Sequence, residues 1–190
     1  MRRFRIPLGS VMGVRLWLHA SWFIIAGLVL WATTEAFGQG FPGLPLAERL
    51  LMGAATAACF FACLVAHELA HSVVARRFDV RVRGITLFML GGVAEIDGEI
   101  PTPAQEFAVA LAGPAASLAL GAAFALLWRA SIAVGWTWAQ GIAFTVGTVD
   151  LGVAIFNLVP GLPLDGGRLL RAVLWRRSGD HARATRVASG

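Results

Sequence analysis

Charge is what this sequence has least of. Only 14% of its 190 residues are charged, whereas globular domains hold close to a quarter. Hydrophobic residues make up 57%, and mean hydropathy is +0.71. That deficit excludes an ordinary soluble domain and places the chain in the membrane class before any motif is read. Lysine is absent altogether: all 16 basic residues are Arg. Acids number only 11, so few carboxylates are available to any site. The two cysteines, Cys59 and Cys63, lie one helical turn apart in one apolar run. Same-helix geometry and burial argue against a mutual disulfide; they read as small packing residues. There is no internal repeat and no low-complexity segment.

What is present instead is a set of four charge-free windows, Leu16–Thr34, Leu50–Ala66 (continuing to Ala75 through a charged motif), Phe107–Leu127 and Ala130–Val149, the last running past Asp150 to Leu164. Each approaches the roughly 20 residues that span about 30 Å of hydrocarbon. The first is too long for a signal peptide and ends in Trp31-Ala32-Thr33-Thr34, without a small-x-small cleavage site. It reads as a retained span, with the outer pair of Trp17, Trp22 and Trp31 suited to the interfacial belts. The arginines are partitioned. Fourteen lie before span one, after span two or after span four, and only Arg49 and Arg129 fall in the other loops. By the positive-inside rule both termini and the 76–106 loop are cytoplasmic. This distribution accounts for the net charge of +5 without a nucleic-acid partner.

The expected fold is an all-α polytopic membrane bundle of about four helices, a single core over 1–190. A small β-hairpin is expected in region 80–100 at the cytoplasmic side. Val80 to Leu87 alternates, Phe88 to Ile96 is β-like, and Gly91-Gly92 reads as the turn between them. Small residues Gly113, Ser117 and Gly121 recur every fourth position of span three, which reads as close helix packing rather than chemistry.

Chemistry enters at His67-Glu68-Leu69-Ala70-His71. The 17 residues before it carry no charge, and ionisable groups at membrane depth are costly to keep. Residues four apart share a helix face, so His67 and His71 can hold one metal ion while Glu68 takes a proton from water. A third protein ligand is needed. Asp165 sits in a Pro/Gly-rich break after span four, at similar depth to the histidines, and is assigned that role over Glu95, Glu99 and Glu106. Asn157 either donates a hydrogen bond to a reacting oxyanion or substrate backbone, or bonds a neighbouring helix. Asp150 reads as a structural carboxyl, and His19 as a packed histidine bonded to a backbone carbonyl. Two imidazoles and a carboxylate suit zinc, one per chain, although other transition metals use such donors.

At these two motifs the chain resembles the site-2 protease family of intramembrane zinc metalloproteases. His67 to His71 matches the family's HExxH, and Asn157 to Gly167 matches its NxxPxxPxDGG. Gly91-Gly92 in a strand-like run and Ala112-Gly113-Pro114 add to the likeness. The resemblance implies zinc held by His67, His71 and Asp165, Glu68 as general base and Asn157 as a transition-state or substrate contact. It implies an intramembrane endopeptidase cutting in or near a transmembrane segment of a membrane protein, such as an anti-sigma factor or a membrane-bound transcription factor precursor. The hairpin, with Gly91 and Gly92, would pair with the unwound substrate strand. The setting implied is a prokaryotic cell membrane with the active-site side cytoplasmic, and a homo-oligomer stays open. Only 93 residues separate His71 from Asp165, which leaves no room for the PDZ domain that some members carry. The pattern is that of the branch with C-terminal CBS domains, and the chain reads as the front part of a longer protein. The alternative is a membrane metal-binding or transport protein without hydrolysis, for which Glu68 would serve no purpose.

Overall fold

The computed structural model describes residues 5–89, 91–98 and 100–189. Six helices and four strands follow one another as β1 (Arg5–Val11), β2 (Val14–His19), α1 (Trp22–Gly40), α2 (Leu46–Arg76), β3 (Arg81–Phe88), β4 (Gly91–Asp97), α3 (Pro103–Ala133), α4 (Thr137–Asn157), α5 (Asp165–Ser178) and α6 (His181–Ala188).

Three of the described helices, α2, α3 and α4, are long and apolar enough to cross a membrane. The first window divides differently from the sequence expectation of a fourth span. Its front part, Leu16 to His19, is strand, and the helix begins only at Trp22. That helix ends in Glu35, Gly38, Gln39 and Gly40, and it is not among the three. The strand-to-helix junction is hidden in the sequence because β2 is itself apolar on alternate residues and runs straight into α1. No charged residue follows Arg15 to mark the junction. Trp17 consequently belongs to the sheet and not to the helix. Its ring lies across Gly84 of β3, where a Cβ would come within 2.2 Å of it.

The strands form one sheet in the order β1-β2-β3-β4, twice the expected hairpin. Met12 and Gly13 both take positive φ, the geometry of the two-residue hairpin turn. β2 pairs parallel to β3 in the register Arg15↔Gly84 to Leu18↔Leu87. A parallel pair requires a long crossover, and α1 and α2 provide it. Gly91-Gly92 do not form the β3–β4 turn. They open β4, with Gly91 opposite Phe88 and Gly92 opposite Leu87. The inner face of the sheet, Val14, Leu16, Leu18, Ile85 and Leu87, is buried against Phe61 and Leu64 of α2. The sheet therefore lies against the second half of α2, where Arg76 donates to the Met12 carbonyl.

Small residues set the close approaches within the bundle. Gly53 of α2 meets Thr33 and Thr34 of α1, and Gly147 of α4 meets Phe124 of α3. The α3 N-terminus is capped by Thr102, whose hydroxyl accepts from Gln105 N–H, with proline at the first helical position. Both features are ordinary helix-start signals.

Candidate metal centre

The two histidines point from α2 toward α3, which runs in the opposite direction. His71 Nδ1 lies 2.7 Å from the Val109 carbonyl oxygen, and His67 Nδ1 lies 3.1 Å from Ser117 Oγ. Gly113, midway between them on α3, faces both rings: a Cβ there would sit 2.2 Å from His71 Nε2 and 2.5 Å from His67 Nε2. Pro114 removes the hydrogen bond that the Ala110 carbonyl would receive and crowds that turn. The carbonyl that turns to His71 is the adjacent one. Gly113 and Ser117 thus face the histidines, as the Val109 carbonyl does one turn earlier, which corrects the reading of the 113, 117 and 121 stripe as helix packing without chemistry. Gly121, one turn on, approaches only Gly147 and Leu151 of α4.

Asp165 arrives from the first turn of α5. The segment 158–164 folds back so that Gly166 and Gly167 lie against its main chain. A Cβ at Gly166 would stand 2.2 Å from the Leu158 carbonyl oxygen, and one at Gly167 2.3 Å from the Gly161 carbonyl carbon. Both glycines of the DGG sequence are therefore required by backbone contact. A helix N-terminus also favours a carboxylate. Asp165 Oδ2 stands 3.1 Å from His67 Nε2 and 3.1 Å from His71 Nε2, and the two Nε2 atoms are 3.3 Å apart.

The donor set fits a metal ion on chemical grounds. A carbonyl oxygen only accepts, so the Val109 contact assigns the proton of a neutral His71 to Nδ1. His67 Nδ1 has a hydroxyl, Ser117 Oγ, as its partner instead of a carbonyl. Both Nε2 atoms face the Asp165 carboxylate, so two imidazole nitrogens and an oxygen converge on one point. A cation suits such a convergence of donors. The three residues are buried, and their ligand atoms all lie within 4.8 Å of one another. The outer bonds to Val109 and Ser117 are of the kind that orient metal-binding imidazoles.

Of the alternative carboxylates, Glu106 is buried in the first turn of α3 and bonded by Arg171 of α5. Glu95 is bonded by Arg5. Glu99 lies outside the described residues. Neither described glutamate joins the histidines. His19 stays apart as well: its Nδ1 accepts from Ser21 N–H at 3.2 Å and lies 2.8 Å from Ser21 Oγ, so its partner is Ser21 and not the expected backbone carbonyl.

Glu68 lines a cavity of about 430 Å3 whose walls are mainly apolar side chains of α1, α2 and α4. Gly91, Gly92 and Asn157 line the same cavity. A Cβ on Gly92 would come within 2.4 Å of Glu68 Cγ. Asn157 Nδ2 donates to the Val153 carbonyl of its own helix at 3.1 Å, so the expected bond to a neighbouring helix is replaced by one within α4. Asp150, read from sequence as structural, accepts from Ser117 Oγ at 3.1 Å and so connects to His67.

Fold and site together define a membrane-embedded helical protein in which two histidines and an aspartate form a buried centre beside an apolar cavity. The chain belongs to Peptidase family M50, whose profile matches residues 55–146 and 129–189. It is 44% identical over 186 residues to Rip3 of Mycobacterium tuberculosis, provisionally named a zinc metalloprotease, which covers 96% of this chain and 47% of that protein. It is 28% identical over 187 residues to zinc metalloprotease MJ0392 of Methanocaldococcus jannaschii, 98% of this chain and 50% of that one. Among solved structures it is similar to the site-2 protease from Methanocaldococcus jannaschii, with a TM-score of 0.63 and 26% identity over 97% of this chain and 78% of that one. The chain spans about half the length of the curated relatives it matches. Zinc is the metal these relatives name, and it suits the donor set here.

Proposed function

We propose that this chain is the catalytic core of an intramembrane zinc endopeptidase that hydrolyses a peptide bond in or near a transmembrane segment of another membrane protein. The observation that carries this reading is the position of Glu68, between a metal-binding cluster on one side and an apolar cavity on the other. His67, His71 and Asp165 hold the ion. The chemistry a metal supplies in such a site is Lewis-acid polarisation. The Glu68 carboxylate takes a proton from water as its oxygen adds to the scissile carbonyl carbon, then passes that proton to the departing amine nitrogen. Asn157, whose amide has a second N–H beyond the one given to Val153, donates to the oxyanion or to substrate backbone.

A helical substrate shields its peptide bonds, so it must be unwound first. β4 is the terminal strand of the sheet, and its first residues, Gly91 and Gly92, line the cavity beside Glu68. An extended substrate segment pairing with that edge by β-augmentation would be delivered to Glu68. Arginine placement supports a cytoplasmic location for the sheet end of the bundle.

The test is Glu68→Gln, assayed with a co-expressed membrane protein carrying a cleavable transmembrane segment. Cleavage is expected to vanish while zinc content stays at about one per chain. Cleavage that persists in this variant rules out the general-base role. Zinc content dependent on the histidines, in a wild-type protein that cleaves no transmembrane substrate, would instead favour the non-hydrolytic metal-binding alternative.

A further inference from the structure

We infer that Ser117 and Asp150 are positioning residues of this centre: Asp150 engages the Ser117 hydroxyl hydrogen, leaving the Ser117 oxygen to accept the Nδ1 proton of His67, so that His67 Nε2 is kept bare. The inference rests on the reading of His67, His71 and Asp165 as metal ligands.

The argument begins with a difference between the two histidines. His71 leans on the Val109 carbonyl, which can only accept, so its tautomer is determined by one contact. His67 leans on a hydroxyl, which can either donate or accept. A hydroxyl that donated to Nδ1 would move the imidazole proton to Nε2, the atom 3.1 Å from Asp165 Oδ2. Asp150 removes that ambiguity. Its Oδ1 takes the one hydrogen Ser117 has, at 3.1 Å. Asp150 thereby does for His67 what a main-chain carbonyl does for His71.

Two further observations support a purpose for Asp150. It is 2% exposed and Ser117 is 0% exposed, within an apolar bundle. Its Oδ2 has no hydrogen-bond partner among the described residues, and such an orphaned buried oxygen is costly. Packing alone gives no reason to bear that cost. The helix approach is also built for the contact. Gly121 on α3 and Gly147 on α4 bring the two helices together one turn from Ser117 and Asp150, within reach of a short Asp side chain.

The experiment uses the full chain in detergent, with zinc affinity measured by competition against a chromophoric chelator. Ser117→Ala and Asp150→Ala are each expected to weaken zinc by about 10–100-fold. The double variant should be no weaker than Ser117→Ala alone, because both act through one hydroxyl. Imidazole 15N spectra of the metal-free protein give a second readout that loss of packing would not mimic. Only four histidines are present, so signals can be assigned by single His→Gln variants. His67 should be Nδ1-protonated in the wild type and shift toward Nε2 protonation in both alanine variants, while His71 stays Nδ1-protonated. Asp165→Ala separates the two levels of the argument. Zinc retained in that variant overturns the ligand reading itself. Zinc lost there but bound at wild-type strength by Ser117→Ala and Asp150→Ala overturns only the relay, as would an unchanged His67 tautomer. Should Asp150→Ala not fold, Ser117→Ala decides by the same two readouts.

Discussion

The two sides of α2 around its charged motif are built on opposite plans. Toward α3 the surroundings are close and polar: Val109, Gly113 and Ser117 contact the histidines, and Asp165 closes the cluster from α5. Toward α1 and α4 there is open, largely apolar space, and Glu68 is the acid that faces it. Neighbours in sequence, His67 and Glu68 therefore differ in freedom. The histidines are held at Nδ1 by Ser117 and by the Val109 carbonyl, as ligands of a preformed site should be. The glutamate is left able to meet a substrate.

Substitutions at the boundary test that division. The largest effect is expected at Gly113. Gly113→Ala would drive a methyl group into both Nε2 atoms, so zinc affinity should fall by about 100-fold or more and cleavage should go with it, as a zinc titration beside a cleavage assay would show. Gly113→Ala with unchanged zinc affinity would mean that the α3 wall is looser than described. Next is Asn157→Ala on the cavity side. Loss of one donor to a developing oxyanion costs about 10²–10³ in kcat; zinc binding should be unaffected, and a drop in zinc content would join the two sides instead of separating them. Smaller again is Gly92→Ala. The added Cβ displaces Glu68, and small misplacements of this kind cost about 10²-fold in rate. Since the side chain of Glu68 can rotate in part, the loss should be at or below that figure, with zinc affinity retained. Equal loss of zinc in Gly92→Ala would show that Glu68 is not independent of the histidine wall.

Much of this was legible from residue order. The charge deficit, the arginine partition and the charged pentapeptide within an apolar run announce a membrane protein with a metal site. The Pro/Gly break ahead of Asp165 marks where a carboxylate could turn inward. The first hairpin was not legible, because β2 merges into α1 without a charge or a proline to separate them, and β1, with Pro7 and Gly9 among its seven residues, carries little strand signal. The turn was misplaced onto Gly91-Gly92 since glycine pairs signal turns by default. Here the backbone needs them at the start of a strand, where Gly91 has positive φ and Gly92 makes room for Glu68.

What the sequence by itself determined is local chemistry: which side chains share a helix face and which segment cannot stay helical. Helical period and hydropathy act over a few residues, and they are written in residue order. Which groups stand behind the ligands was decided only by tertiary structure. Ser117 lies fifty positions from His67 and meets it because α3 runs back along α2. Asp150 reaches that serine because glycines let α4 come close. The partner of His71 is a main-chain carbonyl, which every residue carries. No side-chain pattern can single out a backbone oxygen; only the packing of one helix on another chooses it.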